Sequence, residues 1–380
     1  MIYLDNGATS FPKSPGVGEA MKRYIEESGT NIGRSDYQLS ADAGLQVLET
    51  RERLCGLLGF NGNYSHCVFT SGVTMSMNMI MQGLLRPGDH LIISAMEHNA
   101  VARIAALLEK QGVSLSLAPC DKNGILILDE LEGLFRSNTR LVVIQHASNV
   151  CGAIQPITEI GAICKEKGVF FAVDTAQSAG HLPVCMDDWN ASAIAFAGHK
   201  GLLGPQGIGG FILRDELLSQ MRPLIAGGTG SKSDSLDMPE ILPDCYEAGT
   251  LNLPGIMGLL EALRFIEQRG VQAFREHEKS LTGRFLDGLR NNPYIRVPGP
   301  ESADKRTGVI SVDFLRRDNG EAAFALEDQY GILTRCGLHC APLAHKTLGT
   351  YPQGTVRFSL GFLSSVADVD AALRAIENLC

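Results

Sequence analysis

Apolar runs of strand length alternate with helical patterns over the first half of this chain. An alternation of this kind is typical of a mostly parallel sheet with helices on both faces. It therefore predicts an α/β fold with a doubly covered central sheet. The predicted strands are 66–70, 90–94, 141–145, 169–173 and 191–197, and the predicted helices include 41–60, 99–111 and 159–167.

The pattern changes near residue 253. Two long helical patterns, two strands and a last helix then follow, which indicate a smaller α+β domain that the N-terminal segment completes. A chain of 380 residues suits one large and one small domain. We predict a large domain at 15–252 and a small domain made of 1–14 and 253–380, with helices at 256–269, 271–291 and 366–379 and strands at 309–314 and 356–359.

Composition narrows the class of protein. Hydrophobic residues make up 44% of the chain and charged residues 20%, which is typical of a folded globular protein. The net charge of −9 argues against nucleic acid and anionic membranes as partners. No apolar run reaches 18 residues and the N-terminus lacks a signal-peptide pattern, so we expect a cytoplasmic protein. The ten scattered cysteines then indicate reduced thiols.

A lysine lies in the glycine-rich stretch AFAGHKGLLGPQGIGG, residues 195–210. Burial among these glycine and apolar residues would lower the pKa of the Lys200 amine, and only a neutral amine attacks a carbonyl. That is the requirement for covalent attachment of pyridoxal phosphate. An exposed lysine before a turn explains these residues equally well.

A carboxylate ends the predicted strand 169–173. Ligands bind at the carboxyl ends of strands in open α/β sheets, and the protonated ring nitrogen of pyridoxal phosphate would pair with Asp174 there. One further strand fits between Asp174 and Lys200. This order resembles the class V aminotransferase family of fold-type I pyridoxal phosphate enzymes, and the resemblance extends from LDNGAT near the start to VRFSLG near the end.

The resemblance implies a phosphate site. Gly72 and Thr74, just before a helix, match the family's phosphate-binding turn, although an ordinary helix cap is the alternative. Val73 and Ala197 stand where many members carry hydroxyl groups. His199 and a second subunit would therefore contribute a larger share of the binding of the cofactor. Thr250 matches the residue that reaches the partner's phosphate across a dimer, and a plain interdomain turn is the alternative.

Three more residues match the family's cofactor contacts. His98 follows a predicted strand and corresponds to the catalytic histidine that stacks on the pyridine ring, although a lone histidine is often structural. Asn149 and Gln177 correspond to partners of the cofactor's phenolic oxygen, and Asn149 also lies near the substrate. Arg357 matches the anchor for the substrate's α-carboxylate, where a guanidinium binds in bidentate fashion. An ordinary surface arginine is the alternative.

The segment TRCGLHCAPLAH, residues 334–345, has three interpretations. Cys336, His339, Cys340 and His345 could bind zinc, with unusual spacing. The cysteines could be inert. Cys340 could instead be a nucleophilic thiolate whose pKa His339 and Arg335 lower.

The pattern R-x-G-x-H-C-A resembles the active-site loop of group II cysteine desulfurases and selenocysteine lyases. In that family the cysteine takes sulfur from the substrate as a persulfide, and Cys340 matches it. Leu338 departs from the His-His-Cys of many members. Cys336 could resolve the persulfide or form a regulatory disulfide, although a packing role fits it better.

The resemblance implies a homodimeric pyridoxal phosphate enzyme. It would convert L-cysteine or L-selenocysteine to L-alanine, with Lys200 and Cys340 as its central groups and a sulfur-acceptor protein as a partner. Two alternatives stay open: another class V reaction on a small amino acid, either transamination or β-elimination, and a non-catalytic sulfur-relay or metal-binding protein on the same fold.

Overall fold

The computed structural model describes residues 1–32, 37–232 and 234–380. Strands within these residues are β1 (Ile2–Tyr3), β2 (Cys67–Thr70), β3 (His90–Ser94), β4 (Ser114–Ala118), β5 (Thr139–Gln145), β6 (Phe170–Asp174), β7 (Ala193–Ala197), β8 (Gly209–Leu213), β9 (Ile295–Arg296), β10 (Val309–Phe314), β11 (Ile332–Leu333), β12 (Arg335–Gly337) and β13 (Thr355–Ser359). The helices are α1 (Val17–Arg23), α2 (Gln38–Leu57), α3 (Val73–Leu84), α4 (Asn99–Lys110), α5 (Leu128–Glu132), α6 (Ile157–Glu166), α7 (Asp215–Leu218), α8 (Leu253–Arg269), α9 (Val271–Leu289), α10 (Asn319–Tyr330), α11 (Pro342–Thr347) and α12 (Val366–Leu379).

A large sheet lies at the centre of the molecule. Among the described residues it has seven strands in the order β2-β8-β7-β6-β5-β3-β4. The pairings from β4 through β7 are parallel, and β8 runs antiparallel to both of its neighbours. The predicted mostly parallel α/β sheet is confirmed. The middle residues of its central strands are apolar on both faces because helices cover both faces of the sheet.

Strand β8 was not predicted from the sequence because it begins with two glycines. A Cβ atom on Gly209 would lie 2.7 Å from the Cα of Gly72, which no real side chain tolerates. A Cβ atom on Gly210 would lie 2.3 Å from the Val68 carbonyl oxygen. The glycines therefore allow β8 to approach β2 and the turn that follows β2, at a cost in strand propensity.

A second, antiparallel sheet has the order β12-β13-β10-β9 in the described residues. Helices α9, α10 and α12 pack on it around a core that includes Phe285, Ile310 and Phe358. The N-terminal strand β1 pairs in parallel with β11, and Leu4 is buried in the same core. The N-terminus therefore packs with the second sheet.

Helix α8 packs with the large sheet. Its residues Leu259, Leu263 and Ile266 are buried in the core that also holds Phe196 of β7, and the helix lies against α1 and α2. The predicted boundary at residue 252 stays a prediction, and we propose that the division falls nearer residue 270.

Other predicted elements differ from the structure only at their ends. The strand predicted at 66–70 starts one residue later because Tyr64–His66 form a 3₁₀ turn. Helix α2 lies three residues earlier than its pattern indicated. Across the described residues we find no helix with the length and apolar character needed to span a membrane.

Candidate functional site

A cavity of about 310 Å³ opens where the large sheet meets the second sheet. It lies beyond the carboxyl ends of β5, β6 and β7, where ligands bind in open α/β sheets, and beside the first turns of α3 and α4. Nine of the eleven predicted site residues line it: Gly72, Thr74, His98, Asn149, Asp174, Gln177, His199, Lys200 and Arg357. Residues 250 and 340 are not among its lining residues.

Lys200 lies three residues after the end of β7, and its side chain lines the cavity. Burial lowers the pKa of its amine to about 8, and the charges of Arg357 and Arg335 act in the same direction. The carboxylate of Asp174 opposes this shift. An appreciable fraction of the amine is therefore neutral near pH 7, as a carbonyl-attacking lysine requires.

Asp174 is the last residue of β6 and is 5% exposed. Burial raises the pKa of its carboxyl, while a hydrogen bond from the Ala176 amide and the charge of Lys200 lower it. The Ala176 N–H donates to Oδ1 at 2.8 Å. A buried carboxyl group with so little compensation favours a cationic partner in the cavity.

The turn between β2 and α3 presents backbone groups to the cavity. Gly72 adopts φ 145°, a conformation that side chains disfavour, and it caps the N-terminus of α3. The Gly72 N–H donates to Thr70 Oγ1 at 3.1 Å, and Thr74 lies in the first helical turn. A helix N-terminus of this kind attracts phosphate groups.

Two histidines line the cavity as neutral rings. Burial, together with the nearby Lys200 charge, lowers the pKa of both His98 and His199 to about 4. His98 Nδ1 accepts a hydrogen bond from the Ala100 N–H at 3.0 Å as the cap of α4. His199 Nδ1 is buried without a partner among the described residues.

Two amide side chains that line the cavity donate hydrogen bonds to backbone carbonyls of other segments. Asn149 donates from Nδ2 to the His339 carbonyl at 2.7 Å, while its Oδ1 is buried without a partner in the described part of the chain. Gln177 donates from Nε2 to the Gly7 carbonyl at 2.9 Å. Both side chains therefore link the large sheet to segments outside it.

Arg357 lies on β13 and is only 1% exposed, which excludes an ordinary surface arginine. Its Nη2 donates to Asp5 Oδ1 at 2.7 Å and its Nη1 to the Asn149 carbonyl at 3.1 Å. Burial lowers its pKa and Asp5 counteracts this. The N-terminal segment thus supplies the counter-ion for a guanidinium in the cavity.

Cys340 lies on an exposed loop between β12 and α11 at the cavity's edge. His339 and Cys340 both have left-handed backbones, with φ 48° and 58°. This conformation costs non-glycine residues energy and persists only where surrounding contacts impose it. The Asn99 N–H provides one such contact by donating to the Cys340 carbonyl at 2.7 Å.

Of the two side chains predicted to assist the Cys340 thiol, only that of Arg335 lies beside it as a cation. Arg335 Nη2 lies 3.5 Å from Cys340 Sγ. His339 instead has its Nε2 3.1 Å from Thr355 Oγ1, and burial lowers its pKa to about 2, so its ring is uncharged. Because the ring is buried away from water and uncharged, His339 places no positive charge beside the Cys340 thiol, and its predicted assistance to the thiolate stays a prediction.

The four residues of the zinc interpretation do not converge. Cys336 packs against the core of the second sheet, and His345 Nδ1 lies 2.7 Å from Thr350 Oγ1. Across the residues that the structure describes, no group of three or more metal-ligating side chains is suited to hold an ion. The position of Cys336 favours the packing role.

Thr250 is exposed on a turn before α8 and lies outside the cavity of its own chain. Gly249, with φ 101°, donates its N–H to the Gly228 carbonyl at 2.8 Å. Any contact of Thr250 with a cofactor phosphate would therefore involve a second copy of the chain.

Sequence reasoning missed several polar groups around the cavity. Glu97 lies three residues after β3 and Asp174 is the last residue of β6, so both acidic groups lie at the carboxyl ends of strands, a position that could have indicated Glu97. It accepts hydrogen bonds from Ser94 Oγ and the Gln145 N–H, and burial raises its pKa to about 8. Asp5 and Lys13 of the N-terminal segment were also missed, since nothing local to them indicates a site 186 or more residues away.

The donor set fits pyridoxal phosphate. The cavity combines a buried carboxyl for a ring nitrogen, a helix N-terminus for a phosphate, and an amine with a lowered pKa for the aldehyde. Asn149 Oδ1 and His199 Nδ1 add buried polar atoms that lack partners in the described residues. Such atoms are rare without a ligand or water.

Comparisons with known proteins agree with this fit. A probable cysteine desulfurase of Pyrococcus abyssi is 32% identical over 100% of this chain and 94% of its own length. The apo structure of a cysteine desulfurase from Thermococcus onnurineus NA1 has a TM-score of 0.92 and 33% identity, covering 100% of this chain and 94% of that one. A cysteine desulfurase structure from Escherichia coli has a TM-score of 0.88 and 28% identity, covering 99% and 94%.

The predicted fold-type I architecture is confirmed by these structural likenesses. The family model of class V aminotransferases matches residues 2–372, nearly the whole chain. This chain therefore belongs to the class V aminotransferase family, whose enzymes depend on pyridoxal phosphate.

Proposed function

We propose that this protein is a cysteine desulfurase that converts L-cysteine, or L-selenocysteine, to L-alanine. The observation that carries the proposal is the position of Cys340. An exposed thiol lies 3.5 Å from the Arg335 guanidinium at the rim of the cavity that holds Lys200 and Arg357. A transaminase of this fold does not need a cysteine at that rim.

Different residues of the cavity bind the cofactor and the substrate. Pyridoxal phosphate, when bound, supplies the electron sink for chemistry at the substrate's Cα. Asp174 keeps the ring nitrogen protonated, and the turn at Gly72 and Thr74 holds the phosphate. Arg357 binds the substrate's carboxylate and so orients its side chain towards the cavity rim.

Lys200 and Cys340 supply the reactive groups. Lys200, with a pKa of about 8, exchanges between its neutral and charged forms near neutral pH and carries protons to and from the substrate. The Arg335 guanidinium lies 3.5 Å from Cys340 Sγ, and the thiolate is the form of a cysteine that attacks sulfur. His98 covers the ring as a neutral imidazole.

The sulfur transfer is balanced without an external oxidant. A bond forms between Cys340 Sγ and the substrate's sulfur while the substrate's Cβ–S bond breaks. The electron pair of the broken bond stays with Cβ, which gains a proton. In sum, L-cysteine and a protein thiol give L-alanine and a protein persulfide.

The proposal extends to partners and location. The exposure of Cys340 supports delivery of the persulfide sulfur to a separate acceptor protein. Thr250 is exposed and is not among the lining residues of its own cavity, which supports a homodimer in which each chain completes the partner's phosphate site. We propose a cytoplasmic enzyme on the basis of its free cysteines and its composition.

The test supplies L-cysteine to the purified, cofactor-loaded protein with a reducing agent. We expect alanine and sulfide in equal amounts, measured by amino-acid analysis and by a colorimetric sulfide assay. Pyruvate with sulfide would instead identify a β-lyase, and consumption of a keto acid would identify a transaminase. L-Selenocysteine in a parallel reaction measures the preference between sulfur and selenium.

Thr250→Val tests the phosphate contact between subunits. We expect the variant to assemble normally but to lose pyridoxal phosphate faster on dialysis, by roughly five- to tenfold, because one hydrogen bond to a charged group is absent. Absorbance of the retained cofactor is measured over time, with Thr158→Val, at an exposed position on α6, as the control. Equal retention in Thr250→Val and the parent would contradict the contact.

A further inference from the structure

The carbonyl oxygen of His199, one peptide before Lys200, is surrounded by donors from a single segment. The Ser10 N–H donates to it at 3.0 Å, Thr9 Oγ1 at 3.0 Å and Ser10 Oγ at 3.2 Å. Lys13 Nζ donates to the same oxygen at 2.9 Å. A carbonyl oxygen has two lone pairs, so four donors exceed what a turn requires for satisfaction.

The donors also bind one another. Lys13 Nζ donates to Thr9 Oγ1 at 3.1 Å and to Ser10 Oγ at 3.0 Å. Because the two hydroxyl groups accept hydrogen bonds from Lys13, their own hydrogens are available for donation to the His199 carbonyl. We call Thr9, Ser10 and Lys13 the N-terminal clamp.

An ammonium group at Lys13 can donate to all three of its neighbouring oxygens at once. Three acceptors surround its Nζ, and a neutral amine has only two hydrogens to donate. Burial lowers its pKa to about 8, so the ammonium form predominates at neutral pH. No carboxylate of the described residues lies within ion-pair distance of it. Holding a half-buried charge without a counter-ion is costly.

A purely structural tie would not need this charge. The Ser10 N–H alone satisfies the His199 carbonyl and attaches the N-terminus to the large sheet. The same segment also reaches the opposite side of the cavity, where Asp5 binds Arg357 and Gly7 accepts from Gln177. It therefore contacts both the lysine-bearing peptide and the guanidinium of the cavity.

We propose that Lys13, with Thr9 and Ser10, is a positioning residue that holds the His199–Lys200 peptide so that the Lys200 amine is directed into the cavity. The clamp fixes the orientation of the carbonyl and thereby the direction in which the next side chain leaves the backbone. This inference rests on the proposed function only in taking Lys200 as the reactive amine. Small displacements of a reacting group cost large factors in rate.

The test compares Lys13→Met, which keeps the length of the side chain without its charge, with Lys110→Met, an exposed lysine on α4. In cofactor-free protein, hydrogen exchange of the peptide around Lys200 is expected to be about tenfold faster in Lys13→Met, because the clamp no longer protects it. In loaded protein, kcat for alanine formation is expected to fall roughly ten- to a hundredfold, with KM within about twofold. Lys13→Arg, which keeps the charge and donors, is expected to recover part of kcat.

Unchanged exchange around Lys200 together with unchanged kcat in Lys13→Met would overturn the proposal. A rise in KM alone would also overturn it, because that result indicates a substrate-binding role. If Lys13→Met does not fold, Thr9→Val decides by the same measurements, with a smaller effect expected and no effect contradicting the clamp. If the parent forms no alanine, the proposed function fails, and hydrogen exchange still tests the clamp.

Discussion

Cys340→Ala is expected to bind L-cysteine and to form no alanine. The cavity residues that we propose to bind the cofactor and the substrate's carboxylate are unchanged in this variant, so we expect addition of L-cysteine to change the cofactor's absorbance. The sulfur has no thiolate to accept it, and the rate of alanine formation falls by roughly a thousandfold or more. Alanine is measured by amino-acid analysis under single-turnover and multiple-turnover conditions.

Cys336→Ala is the matched control, since Cys336 lies on β12 four residues earlier and packs against the second sheet's core. We expect it to retain much of the parent's rate. In the parent, an alkylating probe and mass spectrometry should locate the persulfide on Cys340. Undiminished alanine formation by Cys340→Ala, or persulfide found only on Cys336, would show that the nucleophile is misassigned. L-Selenocysteine can retain some turnover in Cys340→Ala, because selenium leaves carbon more readily than sulfur.

Lys200→Ala is expected to abolish turnover and covalent attachment of the cofactor. The side chain is the amine with a lowered pKa in the cavity, and no other lysine lines the cavity in the described residues. Loss of proton transfer alone lowers a rate by about a hundred- to ten-thousandfold. Borohydride treatment followed by mass spectrometry measures the covalently bound cofactor.

The fold of Lys200→Ala should survive, because the removed atoms face a cavity rather than a packed core. Circular dichroism and thermal unfolding of the variant should therefore match those of the parent. Lys165→Ala, at an exposed position on α6, serves as the control and should keep its bound cofactor. A cofactor spectrum in Lys200→Ala that matches the parent's would contradict the assignment of the lysine.

Much of the large domain could be predicted from local patterns. Buried strands such as β5 and β6 are continuous apolar runs, and each ends at a polar residue that faces the ligand site. That periodicity is local, so it predicted both the parallel sheet and the position of Asp174. The glycine-rich β8 was missed because its residues are selected for close approach to Gly72 and Val68, not for strand propensity.

The roles around Cys340 depended on burial, which local sequence does not specify. The R-x-G-x-H-C-A pattern identified the cysteine, but it could not tell which neighbouring base carries charge. His339 turned out to be buried against Thr355 and neutral, whereas Arg335 lies beside the thiol. A histidine's protonation depends on access to water, and that access is decided by the packing of segments far apart in sequence.

The sequence by itself indicated the α/β class, the candidate residues Lys200 and Asp174 and the candidate nucleophile Cys340, because these follow from local periodicity and short motifs. Only the tertiary structure decided how the N-terminal segment joins the site. Asp5 meets Arg357 across 352 positions of sequence, and Lys13 meets the His199 carbonyl across 186. Contacts over such separations are set by how the two sheets pack, and no pattern within either segment encodes them.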